Sequence, residues 1–217
     1  MSQEQQAYPV ILKGDLSDPP ARGWWLIKWL LAIPHLITLC FLWIAFVIVW
    51  IIAFFSILFT GKYPRKLFDF NVGVLRWTWR VMFYAFEVLG TDRYPPFTLK
   101  SVDYPADLEV EYPEKLSRGL VLVKWWLLAI PHYMIVTVFQ GYSQYTYSIA
   151  ETNYKFESEV GLIGILVIIA AVALLFTGKY HEGIFKLVMG LNRWSYRVCA
   201  YVSLMTDKYP PFRLWDD

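Results

Sequence analysis

Residues 28–35, KWLLAIPH, return as KWWLLAIPH at 124–132, and they are one of five anchors that recur in the same order. LFTGKY at 58–63 returns at 175–180, LRWTWRV at 75–81 as LNRWSYRV at 191–198, and TDRYPPF at 91–97 as TDKYPPF at 206–212. The entries match as well: YPV at 8–10 and YPA at 104–106, followed by ARG at 21–23 and SRG at 117–119. A repeat of this period has to be recognised before any fold is assigned. The chain is therefore divided into residues 1–100 and 101–217, with the copies themselves covering about 8–100 and 104–215.

Each copy is dominated by apolar sequence. From Trp24 to Phe59 the first has 36 residues with no turn signal beyond Pro34, about 54 Å if helical, against a hydrocarbon core of about 30 Å. In the second copy a polar stretch at 140–159, QGYSQYTYSIAETNYKFESE, separates 119–139 from 160–176. Glutamates of this density do not belong in hydrocarbon, so the stretch reads as a loop at a membrane surface. By correspondence, the first copy is expected to turn near 40–44. The expectation is two spans per copy, about 22–41 and 43–60, then about 118–139 and 160–176.

A charged but apolar-rich helix is expected after each TGKY, at 65–89 and 182–205. Asp69, Arg76, Arg80 and Glu87 fall along one helical line in the first, and Lys186, Arg193 and Arg197 along the matching line in the second. Two arginines in the middle of a lone span would be costly. The expected placement is amphipathic and interfacial, with the charged stripe towards headgroups or protein and the aromatic face in lipid; a third crossing is the alternative. ADLEVEY at 106–112 alternates strictly and reads as a strand. YPVILKG, PPFTLKS and PPFRLW are further extended candidates, so one small sheet is expected from the N-terminus, the mid-chain junction and the C-terminus. In this topology 19 of the 20 Lys and Arg lie on the sheet side, which places that sheet and both termini in the cytoplasm. Even crossing numbers make the repeats parallel, related by an axis along the membrane normal.

Composition agrees: 57% hydrophobic, 19% aromatic and 18% charged, with 11 Trp. Such tryptophan content is what bilayer interfaces select. A net charge of +2, without a basic run interleaved with aromatics, excludes nucleic acid as a partner. MSQEQQAYPV lacks the basic, apolar and cleavage regions of a signal peptide. Cys40 and Cys199 do not correspond between copies, and read as buried thiols rather than a disulfide or metal cluster.

The series LAIPH, LFTGKYP, a helix with an RWxxR-like core and TDRYPPF resembles a bacterial membrane-protein family known as domain-of-unknown-function family 4389. The resemblance implies an integral membrane protein of tandem copies, with no assigned activity or catalytic residue. His181 and Glu182 replace the Pro64 and Arg65 of the first copy.

Several chemistries are open to the remaining motifs. His35 and His132, each after Ile-Pro, form a pair of haem or metal candidates; the structural alternative has each imidazole satisfying a carbonyl freed by the proline. The arginine pairs suit lipid phosphate, or else an internal ion-pair stripe neutralised by Asp69, Glu87 and Glu182. Lys28 and Lys124 read as snorkelling residues at span ends. TGKY lacks the spacing of a phosphate loop and reads as a helix stop, and Ser195 and Thr78 have no His–Asp arrangement. Tyr142, Tyr145, Tyr147 and Tyr154 make the polar loop a candidate partner surface. No cofactor is implied. The function expected is a non-enzymatic scaffold or accessory subunit of the bacterial inner membrane, contacting the bilayer, anionic lipid, and another membrane protein or a second copy. A small transporter or lipid-handling protein, using the arginine stripes and the cleft between repeats, is the alternative.

Overall fold

The computed structural model describes residues 8–16, 20–146 and 155–215, with the backbone path alone for 142–146 and 155–159. The chain is mostly helical. In order come β1 (Val10–Gly14), α1 (Trp25–Leu31), α2 (Ile33–Thr60), α3 (Arg65–Ala85), β2 (Ala106–Val110), α4 (Leu120–Val123) and α5 (Ile130–Gln140). β3 (Gly141–Thr146), β4 (Lys155–Val160), α6 (Leu162–Thr177) and α7 (Glu182–Val202) complete it.

The turn expected near 40–44 is absent. α2 runs unbroken for 28 residues, because its sequence offers neither Gly nor an internal Pro to end it; Pro34 sits in the first turn, where its missing N–H costs nothing. Gly61 then stops α2 in the left-handed conformation (φ 72°), donating its N–H to the Ile57 carbonyl, and Gly178 (φ 69°) does the same for α6. The TGKY motifs are helix stops, as their sequence indicates.

The polar stretch of the second copy is not a turn between two spans either. β3 and β4 pair antiparallel from Gly141↔Val160, so the chain leaves and re-enters at one place. Ile163, Ala170 and Leu174 of α6 are buried, and their counterparts Phe46, Ala53 and Ile57 are buried in α2. α5 and α6 together thus occupy the place of α2, with the hairpin inserted between them. Tyr142 and Tyr145 fall on β3; Tyr147 and Tyr154 lie outside the described residues.

The sheet is smaller than expected. β1 and β2 pair antiparallel, while PPFTLKS and PPFRLW form no strand. Its register exposes the symmetry of the molecule. Leu12 is paired with Leu108, its own counterpart in the other copy. Beneath them Trp79 packs against its own counterpart Tyr196, ring centroids 5.3 Å apart. A residue can touch its own equivalent only on a two-fold axis, so a pseudo-dyad runs through the centre of the sheet and between α3 and α7.

Three layers are stacked along this axis. The sheet lies on α3 and α7; α3 and α7 lie on a layer made of α1–α2 from one copy and α4–α6 from the other. α3 is buried over most of its circumference and is not a lipid-exposed interfacial helix. Each strand crosses to the other copy: β2 packs on α3, and β1 on α7. The ends of the outer helices are exchanged too, with Arg118 packed on Gly61 and Arg22 on Gly178. The outer layer carries an exposed apolar surface, including Ile37, Phe41, Ile44, Ile48, Ile51 and Phe55 on α2. α2 is the one helix among the described residues that is long and apolar enough to cross a membrane, and α6 is a shorter apolar helix.

Candidate functional site

Two equivalent nodes collect the repeated polar residues, one at each end of the molecule. In the first, α1 places Lys28 against the segment that follows α3. Its ammonium has no exposed surface; it lies 2.7 Å from Asp92 Oδ1 and donates to the Thr91 carbonyl at 2.7 Å, with the Tyr84 ring beside it. Asp92 Oδ2 also accepts from the Ala21 N–H at 2.6 Å. The second node repeats this: Lys124 lies 2.7 Å from Asp207, donates to the Thr206 carbonyl, and Asp207 accepts from Ser117 N–H. Neither lysine snorkels. The aspartates of TDRYPPF and TDKYPPF hold them, and so tie the end of each copy to its beginning.

The histidines complete the nodes. His35 Nδ1 accepts from the Trp77 indole N–H at 3.1 Å, and His132 Nδ1 from Trp194 at 3.0 Å. Phe97 stacks on His35 at 3.9 Å and Phe212 on His132 at 4.5 Å, with Tyr94 and Tyr209 closing the cages. Because Nδ1 accepts, the neutral ring carries its proton on Nε2, which for His35 has no hydrogen-bond partner among the described residues. The two imidazoles sit in separate cages built from different residues, so they do not converge on a shared haem or metal. Nor does either receive its structural partner from a proline-freed carbonyl; the partner is the tryptophan of the repeated RW motif. Among the described residues no group of three or more His, Cys, Asp or Glu is arranged for a metal.

The arginine stripes face protein. Arg76 and Arg80 converge on Asp107 of β2, Nε of Arg76 at 2.9 Å and Nη2 of Arg80 at 3.2 Å from Oδ1. Arg80, fully buried, also donates to the Thr98 and Lys100 carbonyls, and Arg76 to those of Leu99 and Leu108. Ser101 donates its hydroxyl to the other Asp107 oxygen. In the second copy Arg193 donates to the Leu12 carbonyl and Arg197 to that of Arg213, with the Tyr8 ring over its guanidinium. The burial of Arg80 and Arg197 leaves neither with an open guanidinium fork for a headgroup phosphate. In the first copy the neutralising carboxylate is Asp107 rather than Asp69 or Glu87. Asp69 pairs with Arg65, and Glu182 with Lys186, both on the surface.

Glu87 has a different setting. Burial pushes its carboxyl up to about 7, a hydrogen bond with the Gln140 side chain pulling the other way, and Oε2 is left without a partner. A raised acid favours the fold while protonated. Its contribution is therefore full below about pH 4.5, the ordinary value, and is lost as pH rises to about 7. Unfolding as a function of pH should show stability falling by up to roughly 3 kcal/mol across that window. Glu87→Gln should flatten the profile and raise stability at pH 8.

The family model described as Domain of unknown function (DUF4389) matches residues 23–98 and 160–213. The chain belongs to this family. The first DUF4389 segment holds one whole node, with Lys28, His35, Trp77, Asp92, Tyr94 and Phe97. The second begins where the inserted hairpin ends, and includes Trp194, Asp207, Tyr209 and Phe212 but not Lys124 or His132. The two matched segments are consistent with a tandem duplication. No curated protein and no solved structure matches the chain.

Asp92, Asp207, Asp107 and the two indole donors are not singled out by sequence reasoning. A signal for the first two was present: TD follows RW in both copies, 15 residues after Arg76 and 13 after Arg193. Asp107 had none, since its counterpart in β1 is Ile11.

Proposed function

We propose that this DUF4389 chain is a membrane-resident scaffold or accessory subunit of the bacterial cytoplasmic membrane, without catalytic chemistry of its own. One observation carries this. The lysine, aspartate and imidazole groups of the two nodes are engaged in holding the chain together, so they supply ties rather than a reaction centre. What remains available to partners is surface: the apolar outer layer, the inserted hairpin, and an open cleft of 740 Å³ beside the sheet, lined by Arg65, Asp69, Arg76, Lys100, Glu109 and Glu111 among others. Charges of both signs in that cleft suit a polar protein segment better than an anion alone.

Purification in a mild detergent after in-cell cross-linking, followed by mass spectrometry, tests the proposal. The expected result is a stoichiometric partner, or a second copy, cross-linked through the hairpin or the cleft. A lone monomer that turns over a substrate, or that co-purifies with a chromophore, would contradict it.

A further inference from the structure

We infer that the outer layer lies flat in one leaflet of the bilayer, with the pseudo-dyad along the membrane normal and no helix crossing. The inference rests on the membrane residence proposed above and specifies its geometry. It follows from where the axis places the sheet.

α1–α2 starts beside Asp92 and ends beside Arg118; α4–α6 starts beside Asp207 and ends beside Arg22. The outer helices therefore run in opposite directions between two ends of the molecule, and the dyad exchanges those ends. The paired Leu12 and Leu108 sit on the dyad, so the sheet is equidistant from both ends. If α2 crossed the membrane, its two ends would lie on opposite sides and the sheet would stand at the bilayer midplane. The sheet carries the surface pair Lys13–Glu109, and the adjoining cleft is lined by Arg65, Asp69 and Lys100. Exposed charges at that depth, even paired, have no water around them, which is the costliest place for them.

Laid flat, the same molecule sorts itself. The layer farthest from the sheet exposes aliphatic and aromatic side chains along its whole length, and the sheet and its cleft face water. Trp24, Trp29, Trp125, Trp126, Tyr94 and Tyr209 are exposed around the two ends, the amphipathic rings that headgroup regions accept. Basic residues also stand exposed at both ends as dyad-related pairs, Arg22 with Arg118 and Lys62 with Lys179, where anionic headgroups would meet them. An apolar face sunk into the acyl boundary beneath a charged face is the mode of a monotopic protein.

The test uses the full chain with Cys40→Ser and Cys199→Ser as background and one added cysteine at a time: Lys13→Cys on the sheet, Lys62→Cys at one end, Lys179→Cys at the other. Membranes from expressing cells are prepared as right-side-out and inside-out vesicles and treated with a membrane-impermeant maleimide. All three positions should label from the same face. Labelling of Lys62→Cys and Lys179→Cys from opposite faces would overturn the flat geometry while leaving membrane residence intact. Arg22→Cys and Arg118→Cys form a second pair for the same comparison, should a lysine variant fail to accumulate. Recovery of the chain in the soluble fraction, with no flotation on vesicles, would overturn both readings.

Discussion

Asp107→Ala is expected to lower the stability of the chain by roughly 3–5 kcal/mol, the cost of leaving a buried charge unpaired. That corresponds to a fall in Tm of roughly 10 °C for a chain of this size. Asp107 is nearly buried and holds Arg76, the fully buried Arg80 and the Ser101 hydroxyl together. Its removal strands two guanidiniums against carbonyl oxygens alone. The joint replacement Arg80→Met with Asp107→Leu should recover part of the loss, since apolar side chains of similar volume need no counter-charge. Thermal unfolding of the single and double variants measures both. A loss no greater than that of an exposed aspartate such as Asp69 would show that the stripe is not what docks β2 on α3.

The second large effect is an asymmetry across one ion pair. Asp92→Ala leaves the Lys28 ammonium with the Thr91 carbonyl and the Tyr84 ring in a site without exposed surface, and should cost about 3 kcal/mol. Lys28→Met should cost less, about 1 kcal/mol, because the Asp92 side chain is 31% exposed and keeps its bond to the Ala21 N–H. Asp207 and Lys124 should repeat the pattern, with Asp207 25% exposed. Equal losses for the acidic and basic partners would mean that the lysines are solvated in the native state, as snorkelling residues are.

The duplication was legible from the sequence because five anchors recur in order, and the structure adds the axis that relates them. The TGKY stops were legible because Gly at a helix C-terminus has a single local reason to be there. The length of α2 was not legible, for a physical reason: the polar insert of the second copy mimics a turn between spans. Only pairing of Gly141 with Val160 reveals that the insert leaves and rejoins a helix at one point. The tag TDRYPPF suggests an extended exit through its prolines, and its function as a clasp depends on Lys28 and His35, more than fifty residues away. Such contacts join parts of the chain whose periodicities carry no trace of each other. The arginine stripe was visible as a stripe. Its direction depends on Asp107, which exists in one copy only.

A division of labour emerges between the two kinds of polar contact. The lysine and histidine nodes close each copy on itself, and the arginine stripes join one copy to the strand of the other. Further contacts cross between copies: Tyr8 to the Lys208 carbonyl, Trp50 to that of Val202, and Tyr180 to that of Val88. The account's central claim is that these exchanged contacts make the two copies one folding unit. Expressing residues 1–100 and 101–217 as separate chains, alone and together, tests it most directly. Each half alone should fail to accumulate as folded protein, and the two co-expressed should purify as a one-to-one complex melting in a single transition. A half that accumulates alone and unfolds cooperatively without its partner would contradict the claim.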